Sequence, residues 1–117
     1  MVPVGSRGLQ VSTLSYGGAP IGSLYRATSD EDAIAGVRTA WEAGVRYFDT
    51  APHYGLGLSE RRIGAALRDL PRDDFVISTK VGRVLVPDPS GAGSQDDQGF
   101  VSEVDESCSL FCRGPRV

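Results

Sequence analysis

The sequence reads as an α/β chain whose strands pair in parallel, and three features support that reading. Short apolar runs rich in β-branched and aromatic residues recur about thirty residues apart, at 14–16, 45–48 and 75–79. Between them lie two stretches with apolar residues at helical spacing and clear stop signals. The second and third runs close on charged residues, Asp49 and Lys80. A charge at the end of a buried strand is costly unless it is paired, and these two are natural partners. They would meet at the carboxyl ends of neighbouring strands, where α/β folds keep their chemistry.

Residues 2–4, a Gly5-Ser6-Arg7-Gly8 turn and residues 9–11 predict a β-hairpin. Leu14-Ser15-Tyr16 predicts a strand running into Gly17-Gly18-Ala19-Pro20-Ile21-Gly22. Two glycines there let a ligand or another backbone approach closely, or simply make a flexible loop. Their spacing is wrong for a dinucleotide fingerprint. Ser29 is a helix N-cap, and Asp30, Glu31 and Asp32 suit the positive end of the helix dipole. Ile34, Val37 and Trp41 share the apolar face of that helix, with Trp41 expected in the core, and Gly44 supplies the stop.

After the strand at 45–48, Gly55-Leu56-Gly57 makes a tight loop and Ser59 is expected to cap a second helix. Ile63, Ala66, Leu67 and Leu70 form its apolar stripe, Arg61, Arg62 and Arg68 are expected to face water, and Pro71 ends it. The third strand then delivers Lys80. From Asp88 onward periodicity is lost, and residues 88–117 are expected to form a disordered tail, with one short strand allowed at 100–104. The chain thus divides into an ordered part, 1–87, and a tail.

Bulk properties narrow the function. With 117 residues the chain forms one domain, about half a typical β/α barrel. A net charge of −3 without a basic cluster speaks against nucleic acid and against a membrane surface. No long apolar run suggests a leader or a membrane span. The two cysteines, Cys108 and Cys112, fit a reducing, cytoplasmic setting, and they lack the further ligands that a metal site needs.

Asp49, Tyr54 and Lys80 are the candidate catalytic residues. A free tyrosine has a pKa of about 10, too high for ready proton exchange at neutral pH. A nearby ammonium stabilises the phenolate, and a carboxylate can hold that ammonium in place. The trio is therefore either a tuned general acid/base or a strand-end salt bridge with a loop tyrosine packed on it.

Four blocks of the sequence also resemble the aldo-keto reductases, within them the branch of aldose (L-fucose or D-threo-aldose) dehydrogenases and pyridoxal dehydrogenase. They are Tyr16-Gly17-Gly18-Ala19-Pro20-Ile21-Gly22, Phe48-Asp49-Thr50-Ala51-Pro52-His53-Tyr54-Gly55, Gly57-Leu58-Ser59-Glu60-Arg61-Arg62-Ile63-Gly64 and Ser78-Thr79-Lys80-Val81-Gly82. The resemblance implies the N-terminal portion of a (β/α)8 TIM barrel preceded by a β-hairpin. It implies NADP or NAD as cofactor, hydride transfer, and a small carbonyl or sugar substrate. By the same resemblance Tyr54 is the general acid/base, Lys80 tunes it and Asp49 pairs with Lys80, while Gly18, Ala19 and Asp49 lie beside the nicotinamide ribose. His53 is a loop residue near the pocket mouth.

The family's catalytic histidine lies at the end of the fourth strand, and no residue after His53 can supply it. Three β/α units cannot close a barrel, so a bare strand edge is expected. The chain alone is therefore expected to be inactive, its tail reading like a shifted frame or early stop. The alternative is a non-catalytic fragment serving as an interaction or nucleotide-sensing module.

Overall fold

The computed structural model describes residues 1–23, 26–87 and 100–104. Strands β1 (Val2–Val4) and β2 (Leu9–Val11) form the antiparallel hairpin, with Val2 opposite Val11 and Val4 opposite Leu9. Gly5 and Gly8 turn the chain at φ of 64° and 80°, a region that favours glycine.

The centre is a three-stranded parallel sheet in the order β3 (Tyr16–Gly17), β4 (Tyr47–Asp49), β5 (Val76–Ser78). Helix α1 (Asp30–Glu42) connects β3 to β4, and α2 (Leu58–Leu67) connects β4 to β5. Each crossover is thus a β–α–β unit, the connection that parallel neighbours require. The register sets Gly17 beside Asp49 and Asp49 beside Ser78. The first strand starts later than the sequence suggests. Leu14 is 73% exposed. Ser12 Oγ donates to its carbonyl at 2.6 Å and accepts from the Arg46 amide at 2.9 Å. That local bonding competes with the ladder until Tyr16.

Helix α1 begins as predicted, with Ser29 Oγ accepting from the Asp32 amide at 3.1 Å, and Gly44, at φ 90°, turns the chain after it. Helix α2 does not begin as predicted. Its N-cap is Gly57, at φ 90°, and Ser59 lies inside the first turn, fully buried. The preceding loop does the capping with its own backbone. The Leu58 amide donates to the Gly55 carbonyl at 2.9 Å and the Ser59 amide to that of Tyr54 at 3.1 Å. The serine hydroxyl is therefore free for another use.

The core lies between the two helices and the sheet, where Ile21, Ala33, Val37, Phe48, Ile63, Ala66, Leu67 and Phe75 are buried. Trp41 packs at its rim, half-buried, edge-on to Phe75 at 6.0 Å. The guanidinium of Arg46 sits 3.7 Å over the Trp41 ring. Arg62, expected in water, is 7% exposed. Its guanidinium reaches Asp30 at 2.7 Å, the Ile21 carbonyl at 2.5 Å and the Thr28 carbonyl at 2.7 Å. Those acceptors make burial of the charge tolerable.

Beyond the sheet, β6 (Arg83–Pro87) pairs antiparallel with β7 (Phe100–Val104), the short strand that the sequence allows there. The disorder expected at 88–99 and 105–117, and the reading of Cys108 and Cys112, fall outside the described residues. Among the described residues, β5 pairs only with β4 and leaves its outer edge open. No helix of the described residues is long and apolar enough to cross a membrane.

Candidate active site

The site is built where β4 and β5 end. Parallel pairing continues one step past β4, with the Thr50 amide donating to the Ser78 carbonyl at 2.9 Å. Asp49 and Lys80 therefore emerge side by side, although thirty-one positions separate them in sequence. Lys80 Nζ donates to Asp49 Oδ2 at 2.8 Å and to the Thr50 carbonyl at 3.0 Å. Ser78 Oγ donates to the other carboxylate oxygen, Oδ1, at 2.6 Å.

Tyr54 comes from the loop between β4 and α2. That loop is tied by its own backbone, with the Tyr54 amide on the Ala51 carbonyl at 3.1 Å and the Gly57 amide on the Pro52 carbonyl at 2.7 Å. It is also wedged against the segment after β3. A Cβ at Gly22 would lie 2.6 Å from the Tyr54 carbonyl carbon, and one at Gly55 would overlap the Gly22 carbonyl oxygen. Both positions need glycine for close backbone approach. The result sets Lys80 Nζ 4.9 Å from the centre of the Tyr54 ring. Ala51, Pro52, His53, Tyr54, Lys80, Val81 and Gly82 line an open cleft of about 370 Å³. His53 stands exposed in that wall.

The pair is charged and half-open, with side-chain exposures of 49% for Lys80 and 37% for Asp49. Partial burial opposes ionisation of Asp49. The Lys80 and Ser78 hydrogen bonds and the ammonium charge outweigh it and hold the carboxyl below its ordinary range. The Asp49 hydrogen bond raises the Lys80 ammonium; desolvation opposes this, while the Tyr54 phenol and the carboxylate charge add to it. The lowered carboxyl adds stability above its unfolded value of about 3.9, which is lost as pH falls through the folded value. The raised ammonium adds stability below about 10.4, which is lost as pH rises through its folded value. At such exposure the pair is worth less than about 1 kcal/mol. Asp49→Asn is therefore expected to cost less than about 1 kcal/mol at neutral pH and to flatten the acid limb of the stability curve. Urea midpoints measured across the acid range check it; an unchanged acid limb would remove the pair from the acid stability.

The two glycines of the β3 end differ. Gly18 is buried, and both its backbone groups are used. Its amide donates to the Asp49 carbonyl at 2.7 Å and its carbonyl accepts from Ser59 Oγ at 2.7 Å. A Cβ there would lie 2.5 Å from Ser59 Oγ and 2.9 Å from the Asp49 carbonyl oxygen. Internal packing is thus sufficient reason for glycine at 18. Gly17 is the open one: a Cβ there would meet nothing within 4 Å. As the register partner of Asp49, it leaves bare backbone beside that carboxylate. Ala19 precedes a short 3-10 turn at Pro20–Gly22 and is half-buried. Gly18→Ala is expected to destabilise by about 1–3 kcal/mol through overpacking, read from denaturant midpoints. A variant as stable as the wild type would show that β3 can move away from α2.

The structure brings Tyr54 and Lys80 to one cleft wall, holds Asp49 on Lys80 without its lining the cleft, and ties Gly18 to the backbone of Asp49. Sequence reasoning missed four supports: the buried Ser59 hydroxyl with Thr50 Oγ1 2.8 Å away, Arg62, the Gly22–Gly55 contact, and Ser78 with Tyr47. Only the glycines carried a signal, since two of them flank the tyrosine loop or face it.

Comparison with known proteins bears on the family and the fold. The sequence model of the Aldo/keto reductase family matches residues 13–112. The chain is 55% identical over 94 residues to a D-threo-aldose 1-dehydrogenase of a Pseudomonas species, covering 77% of this chain and 29% of that protein. It is 46% identical over 88 residues to a pyridoxal 4-dehydrogenase of Microbacterium luteolum, covering 75% of this chain and 25% of that protein. An aldo-keto reductase of Bacillus halodurans, solved in its holo form, superposes with a TM-score of 0.60 at 30% identity, over 83% of this chain and 28% of that one. The chain therefore spans between a quarter and three-tenths of these relatives' length, 25% to 29%. Sequence and fold converge, and the chain belongs to the aldo/keto reductase family.

Proposed function

We propose that this chain carries the acid/base residues and the first cofactor contacts of an NAD(P)-dependent oxidoreductase acting on a small carbonyl compound or sugar. The observation that carries this reading is the single cleft wall on which an ammonium, fixed by Asp49, stands 4.9 Å from the centre of the Tyr54 ring.

Tyr54 would give a proton to the substrate oxygen on reduction and take one from the hydroxyl on oxidation. Lys80 places its positive charge over the ring of Tyr54. Asp49 keeps that ammonium charged and oriented. The bare backbone at Gly17, beside the half-open carboxylate of Asp49, would leave room for a ribose at the strand ends. Asp49, Gly18 and Ala19 are the residues we place next to the nicotinamide ribose, Gly18 as packed floor. When bound, NADP or NAD would supply or accept the hydride at the carbonyl or alcohol carbon. Relatives named for a D-threo-aldose, L-galactose and pyridoxal point to aldoses and aldehydes as substrates. Cytoplasmic residence accords with a chain holding only two cysteines.

By itself this stretch, which spans 25% to 29% of those relatives' length, is expected to give no turnover. The test grafts residues 1–87 in place of the matching segment of the Pseudomonas D-threo-aldose dehydrogenase. Nicotinamide absorbance is then followed with aldoses and either cofactor. Turnover is expected. A graft that folds and binds cofactor without turning over would overturn the reading.

A further inference from the structure

Behind the carboxylate stands a pair of hydroxyls that the acid/base trio does not include. Tyr47 and Asp49 flank buried Phe48 on β4 and so share one face of the sheet, and Ser78 on β5 is the register partner of Asp49. Their polar atoms make one continuous chain. Tyr47 Oη lies 3.0 Å from Ser78 Oγ, Ser78 Oγ lies 2.6 Å from Asp49 Oδ1, and Asp49 Oδ2 lies 2.8 Å from Lys80 Nζ.

The direction of that chain follows from counting protons. A serine hydroxyl has one, and a carboxylate has none to give. Ser78 must therefore donate to Asp49, which leaves its oxygen as the acceptor for Tyr47. Donation in series polarises each hydroxyl and strengthens the bond to the charged end. The final torsion of an aspartate side chain is broad, so one ammonium alone would not fix the plane of the carboxylate. Ser78 supplies a second point of attachment, on the other oxygen. The lysine ammonium, on a flexible four-carbon stem, is likewise held twice, by Asp49 Oδ2 and by the Thr50 carbonyl at 3.0 Å.

We propose that Ser78, backed by the phenol of Tyr47, is a positioning residue for the acid/base group: it fixes Asp49 so that the other carboxylate oxygen holds Lys80 beside Tyr54. The assignment rests on the reading of Asp49, Lys80 and Tyr54 given above. Among the described residues, the titratable groups facing the carboxylate are Lys80 from the segment after β5, Tyr47 from its own strand and Tyr54 beyond the ammonium, and β3 contributes Gly17 at this register.

The test titrates the Asp49 carboxyl carbon by NMR in the full chain and in three variants. Ser78→Ala removes the hydroxyl and is expected to raise the Asp49 midpoint by about half a pH unit or more, since a hydrogen bond to the charged form is lost. Ser78→Thr keeps a hydroxyl on a residue that suits a strand, and is expected to restore most of the shift. Tyr47→Phe is expected to move the midpoint in the same direction by less. A merely packing role for Ser78 predicts no shift in any of them, and an unmoved Asp49 midpoint in Ser78→Ala overturns the proposal. If Ser78→Ala disturbs the sheet, Tyr47→Phe decides alone, because it leaves the serine in place; no shift there rejects the chain of donors. The carboxyl titration needs no turnover. It can fail while the grafted enzyme transfers hydride, and it can succeed while the graft does not.

Discussion

Tyr54→Phe in the grafted dehydrogenase is expected to lower kcat by about 10²–10⁴-fold, the range that a positioned acid/base group contributes. Only an oxygen is removed, and the ring that faces Lys80 Nζ at 4.9 Å remains. Cofactor affinity is therefore expected to stay close to that of the unmutated graft, since the residues placed beside the ribose are untouched. Lys80→Met should fall in the same range for a different reason. The phenol survives, but it loses the ammonium that Asp49 holds beside it. Steady-state kcat and KM across the pH range are the measurement, and a Tyr54→Phe graft that retains more than about a tenth of its kcat would remove Tyr54 from the chemistry.

The line between what sequence reasoning reached and what it missed follows the distance over which each interaction is specified. The hairpin, the two helices and the parallel strands are encoded locally, in turn glycines, the Ser29 cap and the apolar periods, and the structure has all of them. Asp49 and Lys80 were legible because strand ends in a parallel sheet must converge, whatever the loops do. Ser59 and Arg62 were misread because each is polar and lies near a helix start, where local rules send serine to the cap and arginine to water. Their burial depends on partners far along the chain, the Gly18 carbonyl for one and Asp30, Ile21 and Thr28 for the other. Nothing in the residues around 59–62 announces those acceptors. Leu14 failed for a related reason. Its carbonyl is held by Ser12, and the amide of Arg46 completes that arrangement from the next unit.

Arg62 carries the largest expected effect on stability. Its guanidinium ties three pieces of chain together: α2, on which it sits, the segment after β3 and the start of α1. Arg62→Ala would leave the Ile21 carbonyl, in a buried place, and the Thr28 carbonyl, in a partly buried one, without a hydrogen-bond donor among the described residues. Each such orphan costs about 1–3 kcal/mol. The bond to Asp30 matters less, because that carboxylate is 73% exposed and returns to water. A loss of about 2–4 kcal/mol is expected, which for a domain of this size corresponds to a fall in Tm of about 10–25 °C. Arg62→Met, which keeps the length of the side chain and none of its donors, should lie near the alanine variant; Arg62→Lys should recover only part, having no planar fork to serve several acceptors at once. The consequence reaches the site through the neighbour of one acceptor. Ile21 precedes Gly22, whose backbone packs against Tyr54 and Gly55. Loosening Ile21 should therefore raise amide exchange at Tyr54 and Gly57, whose amides hold the loop on Ala51 and Pro52. Thermal melts of the three variants, with hydrogen exchange on the most stable of them, make the measurement. An Arg62→Ala chain within about 0.5 kcal/mol of the wild type would mean that the buried guanidinium is replaceable by water. Unchanged exchange at Tyr54 in a destabilised variant would mean that the tyrosine loop holds itself.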